Sequence, residues 1–321
     1  MSPADIGSDS LSGGADWWPS STIDTLRIRS GMLQATREFF ARRGVMEVQT
    51  PVLGAATVTD PAIDSLRVGS PDAPGPYLQT SPEYHMKRLL AAGAPSVYQI
   101  GPVFRAGEQG RWHNPEFTML EWYRLGFDAP RLMDEVADLV NVLLGPANFE
   151  RKTYADLIDS RFGVDAHADD AASLRTARDL GLDHGAEVEE ALDLMLAEAI
   201  ASTRIPRLFV TDFPRRLAAL ARVGTAGTAA RFELVLDGVE VANGYHELCD
   251  ADELEERMAA DIRRRHATGG RKVDADRRLL AAHRHGLPEC AGVAMGFDRL
   301  VALRLGVADV RDAMAFDWKR A

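Results

Sequence analysis

Asp237-Gly238 divides the run Arg-Phe-Glu-Leu-Val-Leu-Asp-Gly-Val-Glu-Val-Ala-Asn-Gly-Tyr-His-Glu-Leu, residues 231–248, into two strands. A two-residue Asp-Gly loop between apolar, β-branched runs is among the strongest short-range signals for an antiparallel hairpin. Such a loop pairs Leu236 with Val239 and Val235 with Glu240. Glu233 then shares a face with Glu240 as its diagonal neighbour, roughly 7–8 Å away between Cα atoms. That spacing suits two carboxylates that hold one or two hard cations. Asn243-Gly244 interrupts the second strand, and Glu247 has the wrong parity to join Glu240 unless a bulge intervenes. A left-handed glycine at 244 would supply one. Three acids on one sheet surface point to cations and an amine, and so to nucleotide and amino-acid chemistry.

The remaining pattern places this hairpin in an α+β fold, an antiparallel sheet flanked by helices. Ile28, Met32, Leu33, Ala35, Phe39 and Phe40 recur at helical spacing up to a stop at Gly44, and a short strand over 45–50 ends at Pro51. Residues 69–76 hold three prolines and two glycines and predict a loop. Ser81 caps a helix over 84–92 with Pro82 in its first turn. Strands over 97–105 and 115–124 flank a polar loop, and Asp128 begins a helix that stops at Gly145. Residues 150–205 read as helical and carry no evident chemistry. A short strand over 209–211, a helix over 252–266 and a strand-to-helix turn near Asp298 complete the pattern. Hairpins interleaved with helices, rather than regular βαβ units, define the class.

Charge and cysteine usage bound the function. The net charge of -11, from 48 acidic and 37 basic residues, argues against a general nucleic-acid binder, which needs a basic surface to neutralise phosphates. Arg263-Arg264-Arg265 reads as a solvated helix end that matches the macrodipole. Cys249 and Cys290 have neither metal-ligand nor redox spacing, so a reducing compartment is the default. With no leader pattern and no long apolar run, a cytoplasmic protein without membrane association is expected.

Two further segments carry chemistry. Phe117, Met119, Glu121 and Tyr123 share one strand face, which could receive a flat heterocycle at one end and a cationic chain at the other; an amphipathic strand in a core reads equally well. Arg105, beside a flexible loop, could reach phosphate or carboxylate bidentately. Gly292 to Arg299 is a strand of small residues that opens a helix, where backbone can approach a ligand and anions are favoured. Neither the dinucleotide fingerprint nor the phosphate-loop lysine is present.

Together these segments resemble the class II aminoacyl-tRNA synthetases over roughly residues 22–321. Gly44 through Thr50-Pro51 is similar to their motif 1, Phe104-Arg105 through Phe117 to motif 2, and Gly292 to Arg299 to motif 3. Thr80-Ser81-Pro82-Glu83, His113-Asn114-Pro115-Glu116-Phe117-Thr118-Met119-Leu120-Glu121 and Glu240-x-Ala242-Asn243-Gly244-x-x-Glu247-Leu248 resemble the lysyl branch. The motif 1-like segment lies near the start of the sequence, so an anticodon-binding domain is not expected, and Ala294 stands where those synthetases have glycine. Both features resemble the elongation factor P lysyltransferases, stand-alone paralogues that lysylate a protein lysine.

Residues 1–16, rich in Ser, Gly and Asp without periodicity, predict a disordered tail, taken as 1–20, and the resemblance implies one catalytic domain at 21–321. It implies that Arg105 is catalytic, holding the ATP α-phosphate and the substrate carboxylate. Phe117 and Arg299 would sandwich adenine; Asn114 would place it, His113 would reach the triphosphate, and Glu240, Val241 and Gly296 would complete the ATP site. Glu233 and Glu240 would hold Mg²⁺. Ser81, Pro82, Glu83, Glu121, Tyr123, Asn243 and Glu247 would bind lysine or (R)-β-lysine. Glu108 falls one residue beyond the position of the usual motif 2 glutamate, which here is Gly107. The expected partner is elongation factor P, with a homodimer and without tRNA. The competing readings are a truncated lysyl-tRNA synthetase and a non-catalytic amino-acid sensor on the same fold.

Overall fold

The computed structural model describes residues 17–70, 73–225 and 227–321; residues 1–16 of the expected tail lie outside them. Helix α1 (Ile23–Arg42) starts at Thr22, whose hydroxyl accepts from Thr25 N at 3.1 Å. Gly44, at φ 65°, turns the chain out of it. The strand expected over 45–50 shrinks to β1 (Met46–Glu47), because Thr50 N leaves the ladder for Gln99 Oε1 at 2.7 Å. β2 (Leu53–Gly54), β3 (Arg67–Ser70) and β4 (Ala73–Leu78) form a small sheet in the order β2-β4-β3. Of the loop expected over 69–76, residues 71 and 72 lie outside the described residues and the others belong to these two strands. The prolines of β4 are tolerated because β2 pairs only with Tyr77 and Leu78, so the strand is an edge where they sit.

α2 (Glu83–Ala91) takes Pro82 as its N-cap, one residue later than expected, and Ser81 Oγ accepts from Glu83 N at 3.0 Å. Then come β5 (Val97–Phe104), β6 (Glu116–Leu125) and α3 (Ala129–Leu144), the last capped by Asp128. β7 (Glu150–Thr153), α4 (Tyr154–Phe162), α5 (Asp170–Asp179) and α6 (Val188–Thr203) fill the helical insert. β8 (Arg207–Pro214), β9 (Thr228–Leu236), β10 (Val239–His246), α7 (Ala251–Ala267), α8 (Arg277–Gly286), β11 (Cys290–Gly296) and α9 (Phe297–Leu305) complete the chain. The sequence did not predict α8: His283 sits on its buried stripe with Leu279 and Leu280, which hides the helical period.

The main sheet has the order β1-β5-β6-β11-β10-β9-β8-β7, parallel only at its edge pairs β1·β5 and β7·β8. This is the expected α+β architecture. Its two faces are sorted by the strand period. On β6, Leu120 and Trp122 point into a core shared with α1, α3 and α9, where Phe39, Phe40, Leu139 and Leu300 are buried. Trp122 Nε1 donates to Glu135 Oε1 at 3.0 Å, so that burial strands no polar group. The alternate residues of β6 face an open cleft. The insert builds a second core of its own, in which Tyr154, Ile158, Leu192 and Met195 pack on Leu208, Val210 and Val235. None of the helices among the described residues is long and apolar enough to cross a membrane.

Candidate active site

The hairpin forms with the expected register, Leu236 opposite Val239 and Val235 opposite Glu240. Asp237 and Gly238 both take positive φ, 48° and 78°, as a type I′ turn requires. A bulge is present, but between Glu240 and Ala242, with Val241 as the extra residue, and not at Gly244. Gly244 is needed for a different reason: a Cβ there would lie 2.3 Å from the Phe232 ring. With the shift upstream, Glu233 pairs with Asn243, and Asn243, Tyr245 and Glu247 line the same cleft as Glu240. Glu233 lies just behind it, buried, where Arg231 Nη2 and Asn243 Nδ2 both donate to its Oε1, at 2.5 and 3.3 Å. Burial and the repulsion of Glu240 push the Glu233 carboxyl up to about 7.

At one end of the cleft, two carboxylates share one buried ammonium and a third lies beside them. Lys87 Nζ, 1% exposed, lies 2.6 Å from Glu83 Oε1 and 2.6 Å from Glu247 Oε2. Glu121 accepts from the Ser81 hydroxyl at 2.6 Å and the Tyr123 hydroxyl at 2.7 Å. Burial and the Glu83 charge push Glu121 up to about 8, and burial pushes Glu247 up to about 7 against the pull of Lys87. Burial works to lower Lys87, but Glu247 and Glu83 outweigh it and hold the group above the ordinary lysine range. The pocket is therefore short of positive charge. Ala294, opposite both Glu121 and Asn243 in the sheet, adds its methyl group to the floor.

The other end suits an anion and a flat ring. Arg105 lies with its Cζ 5.2 Å from the Phe117 ring centre. Among the described residues its nitrogens make only long contacts, 3.4 Å to Thr80 O and 3.4 Å to Glu108 Oε1, so Glu108 does sit beside it. Arg299 donates to Trp112 O at 3.1 Å, Glu240 O at 2.6 Å and His113 Nε2 at 2.9 Å. Burial and the adjacent Arg299 lower the His113 pKa, which leaves the neutral ring that accepts this bond. Arg105, His113, Phe117, Val241, Gly296 and Arg299 all line the cleft. Asn114 does not: its amide donates to Glu116 O at 2.6 Å and its oxygen accepts from Trp318 N at 3.1 Å. Pro82 likewise stays behind the wall, as the cap of α2. Beneath Phe117, Asp298 accepts from Thr118 N at 2.6 Å and pairs with Arg29 of α1 at 2.5 Å. The segment 113–121, the segment 292–299 and α1 are thereby tied together.

Sequence reading missed Lys87, Arg231 and the role of Gly292. The spacing of Glu83 and Lys87, four apart on one helix, was a legible signal for the first. Gly292 needs tertiary information, because a Cβ there would lie 2.2 Å from the Tyr123 ring and 2.6 Å from Glu247 Oε1. Gly292→Ala is expected to destabilise the protein by about 1–3 kcal/mol through overpacking and to displace both side chains. Urea denaturation and amino-acid binding measure the two effects; an unchanged variant would show that the pair has room to move.

Residues 15–320 match the family described as tRNA synthetases class II (D, K and N). The chain is 44% identical over 321 residues to the elongation factor P–(R)-β-lysine ligase of Vibrio cholerae, covering 96% of this chain and 99% of that protein. The ligase of the same name from Yersinia enterocolitica shares 44% identity over the same extents, and that of Photorhabdus laumondii 43%. The chain belongs to the class II tRNA synthetase family.

Proposed function

We propose that this enzyme uses ATP to activate lysine, with (R)-β-lysine preferred, as an aminoacyl-adenylate, and transfers it to the ε-amine of a lysine on elongation factor P. The observation that carries the reading is the charge pattern of the cleft. Glu83, Glu121 and Glu247 line one end, where Glu83 and Glu247 share the single ammonium of Lys87, and Arg105 stands at the other. A diamino acid complements this: it carries two ammonium groups for the carboxylates and one carboxylate for Arg105. The Ala294 methyl and the ligase names of the relatives support the β-isomer and the protein acceptor.

In the first step the substrate carboxylate attacks the α-phosphorus of ATP, a P–O bond forms, and pyrophosphate leaves. The carboxylate is already nucleophilic, so no general base is required; Arg105 positions the two anions and offsets the charge that develops. Phe117 and Arg299 hold adenine between a ring and a guanidinium. Arg231 and Asn243 both donate to Glu233 Oε1, so Glu240 and the second oxygen of Glu233 would hold Mg²⁺, a hard cation that prefers oxygen ligands and would offset phosphate charge. In the second step the acceptor amine attacks the acyl carbon, AMP leaves, and the amine gives up its proton as the amide forms.

Incubation with ATP, (R)-β-lysine and elongation factor P is expected to add one lysyl mass to the factor. An unmodified factor with tRNA charged instead would overturn the proposal.

Binding should also be pH-dependent. In the free enzyme Glu121 and Glu247 are held up to about 8 and about 7, so they are partly protonated near neutrality. A dicationic ligand favours their ionised forms, and its side-chain ammonium, with a pKa of about 10.4, stays charged throughout. Binding therefore releases protons, and affinity falls as pH falls through this range. It should be at least about tenfold weaker at pH 6 than at pH 8. Calorimetry in buffers of different ionisation enthalpy measures both effects, and pH-independent binding without proton release would contradict the charge pattern.

A further inference from the structure

The last turn of α7 carries Arg263, Arg264 and Arg265, expected as a solvated helix end. Arg263 is exposed, and Arg264 pairs with Glu189 at 2.9 Å and Asp261 at 3.2 Å. Arg265 does neither: it is 3% exposed. Its guanidinium enters the irregular segment 55–66 that joins β2 to β3. Nη1 lies 2.8 Å from Asp64 Oδ1, and Nη2 donates to the carbonyls of Asp60 and Ile63, the latter at 2.5 Å. Nε reaches Thr59 O at 3.5 Å.

That segment is part of the cleft. Val58, Asp60 and Ile63 line it together with Glu83, Arg105 and Tyr245. Asp64 O accepts from Ala106 N at 2.7 Å, next to Arg105. On the other side, Thr59 Oγ1 donates to Asp261 Oδ2 at 3.2 Å. A buried guanidinium is costly unless its donors are met. Here they are met by one carboxylate and the carbonyls of one short stretch. The stretch cannot shift without stranding a buried charge, so the same bonds that satisfy Arg265 fix the shape of the wall.

We propose that Arg265 is a positioning residue, which holds residues 58–64 as the wall of the amino-acid end of the cleft and thereby sets affinity for the amino acid rather than for ATP. The kinetic consequence rests on the amino-acid-activating reading; the clamp itself does not. A lysine at this position keeps the charge but loses the planar fork, and cannot reach three carbonyls and a carboxylate at once.

The test compares Arg265→Lys and Asp64→Asn with Arg263→Ala as the control. In Arg265→Lys, amide hydrogen exchange across 58–64 should quicken by about tenfold or more while β6 and β11 keep their protection. In ATP–pyrophosphate exchange, the KM for the amino acid should rise about tenfold, equivalent to loss of one well-placed contact, with the KM for ATP within about twofold of wild type. Asp64→Asn should move both readouts the same way by less, and Arg263→Ala should move neither. Unchanged hydrogen exchange at 58–64 would overturn the clamp whether or not the wild type turns over. Equal rises in both KM values, or a fall in kcat alone, would overturn its specificity for the amino-acid end. A wild type without amino-acid-dependent exchange would sink the functional reading, and the hydrogen-exchange result would still decide the clamp.

Discussion

Replacing Arg105 with alanine is expected to slow adenylate formation by about 10³-fold, the usual loss when a preorganised donor to a developing charge is removed. Under the proposed mechanism that role falls to a side chain with few ties to the protein. It is half-buried, it leans on the Phe117 ring, and its protein hydrogen bonds are both 3.4 Å long. Most of its donors are thus available to a ligand that presents two anionic groups. Arg105→Lys should recover little, because a point charge cannot bond phosphate and carboxylate in the bidentate way of a planar fork. ATP–pyrophosphate exchange with saturating amino acid measures the effect, and circular dichroism should show an unchanged fold. A loss smaller than about tenfold, roughly 1.4 kcal/mol, would remove Arg105 from the chemical step.

The second large effect is on stability. Lys87→Met deletes the ammonium between Glu83 and Glu247 and leaves buried carboxylates without their cation. Breaking a buried pair from one side costs about 3–5 kcal/mol, which urea denaturation at pH 8 should register. The pH dependence has a definite sign. Glu121 and Glu247 are raised in the folded protein, to about 8 and about 7, above the unfolded glutamate value of about 4.3. The folded state then binds more protons than the unfolded state, so stability rises as pH falls between those limits. Without Lys87 both groups should rise further, and the variant should regain part of its loss between pH 8 and pH 5. A variant as stable as wild type at pH 8 would mean that the carboxylates do not carry the charge assigned to them. One whose deficit is independent of pH would trace the loss to packing alone.

The two variants probe opposite ends of one cleft, and those ends were not equally legible. Of the residues that the resemblance implied for ATP, the cleft brings Arg105, His113, Phe117, Glu240, Val241, Gly296 and Arg299 together, and for Phe117 the strand period of two sorts the face in the sequence itself. The exception is Asn114: whether an amide in a loop turns to the ligand or to the protein depends on a chain segment about two hundred residues away, here Trp318. The amino-acid end was legible as a set of acids but not as an electrostatic system. Its cation, Lys87, comes from α2, and its closest packing, Gly292 against Tyr123 and Glu247, crosses three strands.

Local chemistry alone determined the Asp-Gly turn, the alternation of β6, the start of α3 at Asp128 and the α+β class. Each follows from turn geometry, strand period or capping within a few residues. Only the tertiary structure shows the position of the bulge, at Val241, and that Gly244 is instead required by the Phe232 ring packed against it. It also decided the fate of the arginines that end α7. A run of three basic residues at a helix terminus is solvated by default. One of them is instead buried here, because the carbonyls of a distant segment can satisfy its donors and a cleft wall is built in the process.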